Sequence, residues 1–576
     1  MTAQQRIVRV RRNYNQWVAN QTLEDYALRF TAKTARRWSS LRVANTAIGA
    51  VSFLALEAIG GSITINYGFA NGTTAIIAVG IVILLTSLPI AYYASTYGVD
   101  IDLLTRGAGF GYLGSTITSL IYASFTFLFF AIEAAIMSLA FEMCLGIPLF
   151  IGYVLSSLIV IPLVTHGITF ISRFQFWTQP IWIVLHLIPF AYIAAADSAS
   201  FERWTNFSGL AGAEGRSFNL ILFGTAATVV FSLIAQIGEQ VDFLRFLPAR
   251  GTPGKRTWWL AYLAAGPGWI IPGMLKLLAG SFLAFLAVEH FVPLPKAVEP
   301  TRMYLVAFEY VFSSPQLALA FTGAFVVVSQ LKINVTNAYA GSIAWSNFFS
   351  RLTHSHPGRV VWLVFNVTIA LMLMELGIFK MLEHALGLYS IVAVSWVSAL
   401  VADLVINKPL GLSPAGIEFK RAHLYDINPV GVGAMFAATV AGIAAFSGML
   451  GSTMQALSAF FALVIAFMMA PLIAWATQGR YYVARAPRQS WNGQEVIRCS
   501  ICEHHFEAED MAHCPAYSGP ICSLCCSLET RCRDFCKPQA RVSNQLLGWF
   551  GEALPERAVR RTSHRPCWRS RSTGKS

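Results

Sequence analysis

The sequence predicts an all-α polytopic membrane protein with twelve transmembrane helices and a small Cys-rich, metal-binding tail, and three observations carry that expectation. Only 12% of the 576 residues are charged and 55% are hydrophobic, against about 25% charged in an ordinary soluble protein. Apolar runs near the roughly 20 residues that cross a bilayer recur at 44–67, 73–95, 112–143, 150–168, 177–197, 218–243, 260–287, 316–342, 360–380, 385–405, 430–450 and 454–476. Beyond the last run, eight of the ten cysteines fall between Cys499 and Cys536. The run at 150–168 and the divided run around 57–61 are the weakest of the twelve.

Charge placement gives orientation. The first 43 residues hold nine Lys or Arg against two acids, including Arg6, Arg9, Arg11 and Arg12, which suits a retained cytoplasmic terminus better than a cleaved signal peptide. With twelve spans, the loops then inside carry eleven Lys or Arg, from Arg106 to Arg421, and the loops outside carry four, Arg203, Arg216, Lys296 and Arg302. The formal charge of +13 is therefore positive-inside topology, spread over loops and tails, and not a nucleic-acid surface. Both termini are expected in the cytoplasm of a bacterial inner-membrane protein. The chain divides into an arm (1–43), a membrane domain (44–476), a linker (477–498), a Cys-rich segment (499–536) and a basic ending without expected structure (537–576).

Glu57, Glu133, Glu239 and Lys332 interrupt apolar runs, and ionisable groups held in hydrocarbon mark where a polar substrate or ion is handled. In the first run Glu57 precedes Gly60-Gly61, and in the sixth Gln236, Gly238, Glu239 and Gln240 crowd together. Gly60-Gly61 either permits close helix packing or, with Glu57, breaks the helix. Irregular backbone at membrane depth is tolerated only where it lines a cavity or is buried by protein, so broken first and sixth spans predict two five-helix repeats of inverted topology around a central site. Glu57, Gly60, Gly61 and Lys332 are the candidates for ion coupling or gating.

In the third run Phe129 lies one turn before Glu133, so an aromatic ring and a carboxylate share a helix face and suit a flat polar heterocycle, unless Phe129 packs against lipid and Glu133 is a structural partner of Lys332 or of a neighbouring carbonyl. The eighth run, SQLKINVTNAYAGSIAWSN, places Asn334 and Asn337 on one face, and unpaired amides in hydrocarbon demand another helix or a ligand. Lys332 in their midst calls for a carboxylate from Glu57, Glu133 or Glu239. The candidate substrate set is Phe129, Glu133, Gln236, Glu239, Asn334 and Asn337.

These residues carry a resemblance. GVDIDLLTRGAGFGYLGS after the second run, FLFFAIEAA in the third, VDFLRFLP after the sixth and INVTNAYAGSIAWSN in the eighth, in this order, resemble the nucleobase:cation symporter-1 family of purine, cytosine, allantoin and hydantoin permeases over about residues 13–480. The resemblance implies a leucine-transporter-type fold, a 5+5 inverted repeat plus two helices, with alternating access to a midplane site. It places the third-helix substrate contacts at Phe129 and Glu133 and the eighth-helix asparagine at Asn337. It also implies a sodium site made of first-helix carbonyls and eighth-helix hydroxyls, where this chain has Leu331-Lys332 instead. A fixed ammonium there would stand for the cation, and sodium coupling is then lost or replaced by protons; the coupling ion stays open between Na+ and H+.

The tail reads Cys499-x2-Cys502, Cys514, Cys522-x2-Cys525-Cys526, Cys532 and Cys536. Thiols two residues apart bite a tetrahedral metal, so Cys499, Cys502, Cys522 and Cys525 form a first set, and Cys514, Cys526, Cys532, Cys536 or a neighbouring His complete a second. A cytoplasmic location disfavours disulfides and favours zinc, with iron–sulfur as the alternative. A permease-like domain followed by CSICEH…CPAYSGPICSLCCSL…CKP also resembles the amino-terminal half of bacterial hybrid sensor histidine kinases. The 40 residues after Cys536 hold no kinase fold, so the chain is expected to be a truncated or frame-shifted product, or a free-standing permease with a regulatory zinc tail. Two functions remain: a transporter of a nucleobase-like or allantoin- or hydantoin-like compound, and a sensory module that signals the same ligand to a kinase. No motif supports an enzyme.

Overall fold

A computed structural model describes residues 28–250, 254–377, 382–487, 491 and 495–553; Arg6, Arg9, Arg11, Arg12, Cys567 and the ending 554–576 lie outside them. Nine helices among these residues are long and apolar enough to cross a membrane. The chain opens with α1 (Ser40–Gly49), whose Ser39 hydroxyl caps Arg42 N–H, followed by α2 (Ala55–Tyr97), 43 residues in length. α2 holds about twice the roughly 20 residues that one crossing of the hydrocarbon takes, and its helical backbone is interrupted by a kink at Gly68, where φ is 82° and ψ 165°. A Cβ on Gly68 would lie 2.4 Å from the Gly215 carbonyl, so only glycine makes this turn. The runs 44–67 and 73–95 are thus joined in one hydrogen-bonded element.

The bundle continues through α3 (Ser115–Leu145), α4 (Leu149–Thr165), α5 (Gly167–Ala196), α6 (Leu220–Leu244), α7 (Pro267–Glu289), α8 (Pro315–Thr353), α9 (Arg359–Glu375), α10 (Leu382–Ala402), α11 (Pro429–Phe446) and α12 (Ser458–Ala476). The runs 150–168 and 360–380 are the short helices α4 and α9. Their length, and the merger at Gly68, explain why helix length alone gives nine spans where the hydropathy runs give twelve.

The irregular backbone lies elsewhere than expected. Gly60 and Gly61 sit inside continuous helix; the first span breaks at Ala50–Leu54, where a short 3-10 turn leads to an extended Phe53 (φ −64°, ψ 133°). The two glycines instead let α2 meet α7: a Cβ on Gly60 would stand 1.9 Å from the Leu277 carbonyl, and one on Gly280 2.2 Å from Glu57 Cα. The sixth span tightens to a 3-10 turn at Phe231–Gln236, just before the polar crowd.

Beyond α12, β1 (Val496–Arg498) pairs antiparallel with β2 (His505–Glu507), and β3 (Met511–Cys514) with β4 (Gly519–Cys522). A short α13 (Ser523–Leu528) follows, then α14 (Val542–Ala553). The folded tail therefore begins before Cys499, inside the expected linker, and α14 lies in the stretch read as an unstructured ending. Gly60→Ala is expected to push α2 off α7 and to cost about 1–3 kcal/mol of stability, read as a lowered Tm of the detergent-purified protein.

Candidate functional site

The break in the first helix leaves backbone groups open at membrane depth, and three neighbouring helices close them. Glu133 of α3 accepts from Leu54 N–H and Ala55 N–H at 3.1 Å each, an anion at the start of α2 where the helix dipole favours one. Lys276 of α7 donates to the Ser52 carbonyl at 3.2 Å, and Ser52 Oγ donates to the Ser329 carbonyl of α8 at 3.1 Å. Phe53 places its ring edge-on to Phe129 at 6.2 Å, and Phe129 also packs on Phe125 at 4.5 Å. Glu133 and Phe129 therefore share the wall beside the break, as their spacing suggests, but both of Glu133's oxygens serve the backbone.

The ion pairs differ from the sequence expectation. Glu57 pairs with Lys276, Nζ to Oε1 2.8 Å, and the same oxygen accepts from Tyr304 Oη at 3.0 Å; Tyr304 also meets His186 Nδ1 at 2.9 Å. Lys332 has no carboxylate partner among the described residues: Nζ donates to Gln175 Oε1 at 2.6 Å and Thr178 Oγ1 at 3.1 Å on α5, and Gln175 Nε2 returns a bond to the Lys332 carbonyl at 2.7 Å. Gln175 also crowds Gly49, where a Cβ would lie 2.4 Å from its Oε1, so Lys332 is held near the end of α1. Lys276 is the residue the sequence reading missed. It lies in an apolar stretch, GMLKLLAG, where the same argument from intramembrane charge singles it out.

Between α6 and α8 the polar side chains are buried but not paired. Gln236 Nε2 donates to Glu239 Oε2 at 2.8 Å, leaving Glu239 Oε1 without a partner. The amides of Gln240, Asn334 and Asn337 have no hydrogen-bond partner on either atom, and all three side chains are fully buried; the buried Gln330 meets Glu133. Each such group costs about 1–3 kcal/mol if nothing meets it, so each calls for a reason beyond core packing. Gln236 and Glu239 are thus joined by a hydrogen bond, Asn334 and Asn337 are buried on one helix, α8, and Gln240 is a further buried, unpaired amide, legible as an amide in an apolar run.

At the end of the bundle that carries the tail, Asp242 and Arg245 of VDFLRFLP belong to a polar network. Asp242 accepts from Tyr122 at 3.0 Å, a reach that Gly238 permits, since a Cβ there would meet the Tyr122 ring at 2.4 Å. Arg245 donates to Tyr339 at 3.0 Å and stands 3.9 Å from Asp100. Arg106 donates to Asn347 at 2.5 Å. These groups neutralise one another and tie α3, α6 and α8.

In the tail, the Sγ atoms of Cys499, Cys502, Cys522 and Cys525 lie within 4.8 Å of one another, all buried. Tetrahedral thiolates at 2.3 Å from a metal stand about 3.8 Å apart, so the four fit a metal. Ile501 N–H and Cys522 N–H both donate to Cys499 Sγ at 3.4 Å, and hydrogen bonds from the other three thiols hold the Cys499 thiol far below its ordinary value. Cys514, Cys526, Cys532 and Cys536 line a separate small cavity; they do not join a comparably tight group among the described residues.

The tail is clamped to the membrane domain. Glu509 pairs with Lys33 and Glu507 accepts from Thr34 N–H at 3.2 Å, both on the segment leading into α1. Arg421 donates to the carbonyls of Cys526 and Glu529 at 3.1 and 2.7 Å and to Asp534 at 2.8 Å. Lys537 meets Asp426 and the Leu424 carbonyl at 2.8 Å each, and Gln545 of α14 bonds both ways with Ile427.

Asn337→Ala is expected to leave stability within about 1 kcal/mol of wild type, because an unpaired amide contributes nothing to the fold. Gln175→Ala, which strips Lys332 of its main acceptor, is expected to cost about 1.5–3 kcal/mol; thermal unfolding in detergent checks both.

No protein-family model matches the chain, and no curated protein matches it. Solved structures do. An inward-facing structure of Mhp1 aligns with a TM-score of 0.58 at 14% identity, over 79% of this chain and 97% of that one. The closed form of Mhp1, described as a nucleobase-cation-symport-1 family transporter with bromovinylhydantoin bound, aligns at 0.55 and 14% identity, over 78% and 98%. A Na+-coupled sialic acid symporter in a substrate-bound outward-open state aligns at 0.53 and 13% identity, over 79% and 94%. All three are structures of transport proteins, and the chain shares their all-α polytopic membrane fold.

Proposed function

We propose that this chain is a secondary transporter of a flat, nucleobase-like or hydantoin-like heterocycle, working by alternating access through twelve transmembrane segments in a 5+5 inverted repeat plus two. The twelve are α1 with the first arm of α2, the second arm of α2, and α3 to α12. The observation that carries the reading is the set of buried, unpaired amides, Gln240 on α6 with Asn334 and Asn337 on α8, together with the Gln236–Glu239 pair. A heterocycle ringed with carbonyls and N–H groups supplies the missing donors and acceptors, and Phe129 beside the break supplies an apolar face. The likeness in fold to a hydantoin-bound structure supports the same substrate class. Uptake of radiolabelled nucleobases, allantoin and hydantoins into proteoliposomes tests this. One compound of the panel is expected to accumulate, and Asn337→Ala to weaken its binding about tenfold or more, the value of one or two directed hydrogen bonds; absence of saturable binding by every compound rejects the reading.

A second reading, a ligand-sensing input module for a signalling kinase, is favoured by one observation. The Cys-rich tail grips the segment that leads straight into the broken first helix, through Lys33 and Thr34, so motion of that helix reaches the tail. In either reading the Cys499, Cys502, Cys522 and Cys525 set holds zinc, with Cys514, Cys526, Cys532 and Cys536 as a second group of ligands. Purified protein is expected to contain zinc, lost on Cys522→Ser together with protection of the tail from trypsin. Saturable binding without uptake selects the sensor.

A further inference from the structure

The broken first helix presents a carbonyl at its open end, and such carbonyls attract cations. Here the cation is part of the protein. Lys276 Nζ lies 3.2 Å from the Ser52 carbonyl and 2.8 Å from Glu57 Oε1. Both side chains are buried, and Trp182 covers the ammonium with its ring at 5.2 Å. Gly280 and Gly60 bring the backbones of α7 and α2 together closely enough to fix the lysine stem there. Tyr304 and, behind it, His186 are the other titratable groups facing Glu57, and Glu133 occupies the N–H side of the break.

We propose that Lys276 is a tethered cation: its ammonium, fixed between the Ser52 carbonyl and the Glu57 carboxylate, occupies the place a dissociable alkali ion would take at the break, so the first helix needs no Na+ to hold its shape. The inference rests on the transport reading only for its consequence, Na+-independent turnover. The placement differs from the one that spacing suggests, because Lys332 is turned to Gln175 and Thr178 on α5. Without the lysine, Glu57 Oε1, its unpaired Oε2, the Ser52 carbonyl and the Tyr304 hydroxyl form a set of hard oxygen donors suited to an alkali ion.

Thermal unfolding of the full chain in detergent, with NaCl exchanged for choline chloride at constant ionic strength, tests this without a transport substrate. The wild-type Tm is expected to move by less than about 1 °C. Lys276→Ala is expected to unfold lower and to regain more than about 2 °C with Na+, saturably, as a newly bound ion stabilises the folded state. Glu57→Gln combined with Lys276→Ala is expected to lose that response. Saturable stabilisation of the wild type by Na+ overturns the proposal whatever the variants do, and so does a folded Lys276→Ala protein indifferent to Na+; should that variant not fold, Lys276→Gln is read in the same way. Failure here leaves the uptake result untouched, and failure of uptake leaves this one untouched.

Discussion

The interruption at Ala50–Leu54 is the constraint on which the rest of this structure depends. Within a bilayer, unsatisfied N–H and C=O groups cost several kcal/mol each, so the break exists only because other helices supply what the helix gives up. Glu133 comes from α3, Lys276 from α7 and the Ser329 carbonyl from α8. The close approach of α2 and α7 at Gly60 and Gly280 is what brings Lys276 within reach. Glu57 then balances the charge, since a lone ammonium at this depth is far more expensive than a paired one.

The buried polar residues fall into two populations that composition does not distinguish. One has partners, though not on every atom: Glu57 with Lys276, Lys332 with Gln175, and the Asp100, Asp242 and Arg245 network. Removing one member of such a pair leaves the other uncompensated, at about 3–5 kcal/mol. The other is unsatisfied, the amides of Gln240, Asn334 and Asn337, and the fold loses little without it. Stability therefore rests on the first population and not on the second. Glu133 shows why the division matters, for its position beside Phe129 suits a ligand while its hydrogen bonds go to backbone.

The tail follows a different economy of forces. Its strands are three or four residues long, too short to hold themselves, and the sulfur cluster packs with a small core of Ile497, Ile501, Phe506, Ile521 and Leu524. Buried contacts from Arg421 and Lys537 hold it to the membrane domain, and these count for more than the exposed Lys33–Glu509 pair, which solvent screens. The tail thereby bridges the segment before α1 and the loop before α11.

The sequence alone determined what depends on local composition: a membrane-spanning helical bundle, a Cys-rich module after it, the first pairing of Cys-x2-Cys motifs, and the list of polar residues that had no reason to sit in hydrocarbon. Those follow from hydropathy, charge and short spacing, which need no knowledge of neighbours. Only the tertiary structure decided where the first helix breaks, because Gly60-Gly61 is the more permissive backbone in isolation, yet its glycines pack against α7 and the break falls at Ala50–Leu54. It decided that Glu57 answers Lys276 and that Lys332 answers Gln175, pairings more than 150 residues apart in the chain. It also decided which amides remain unpaired, since satisfaction of a hydrogen bond is a property of two partners and a sequence position names only one.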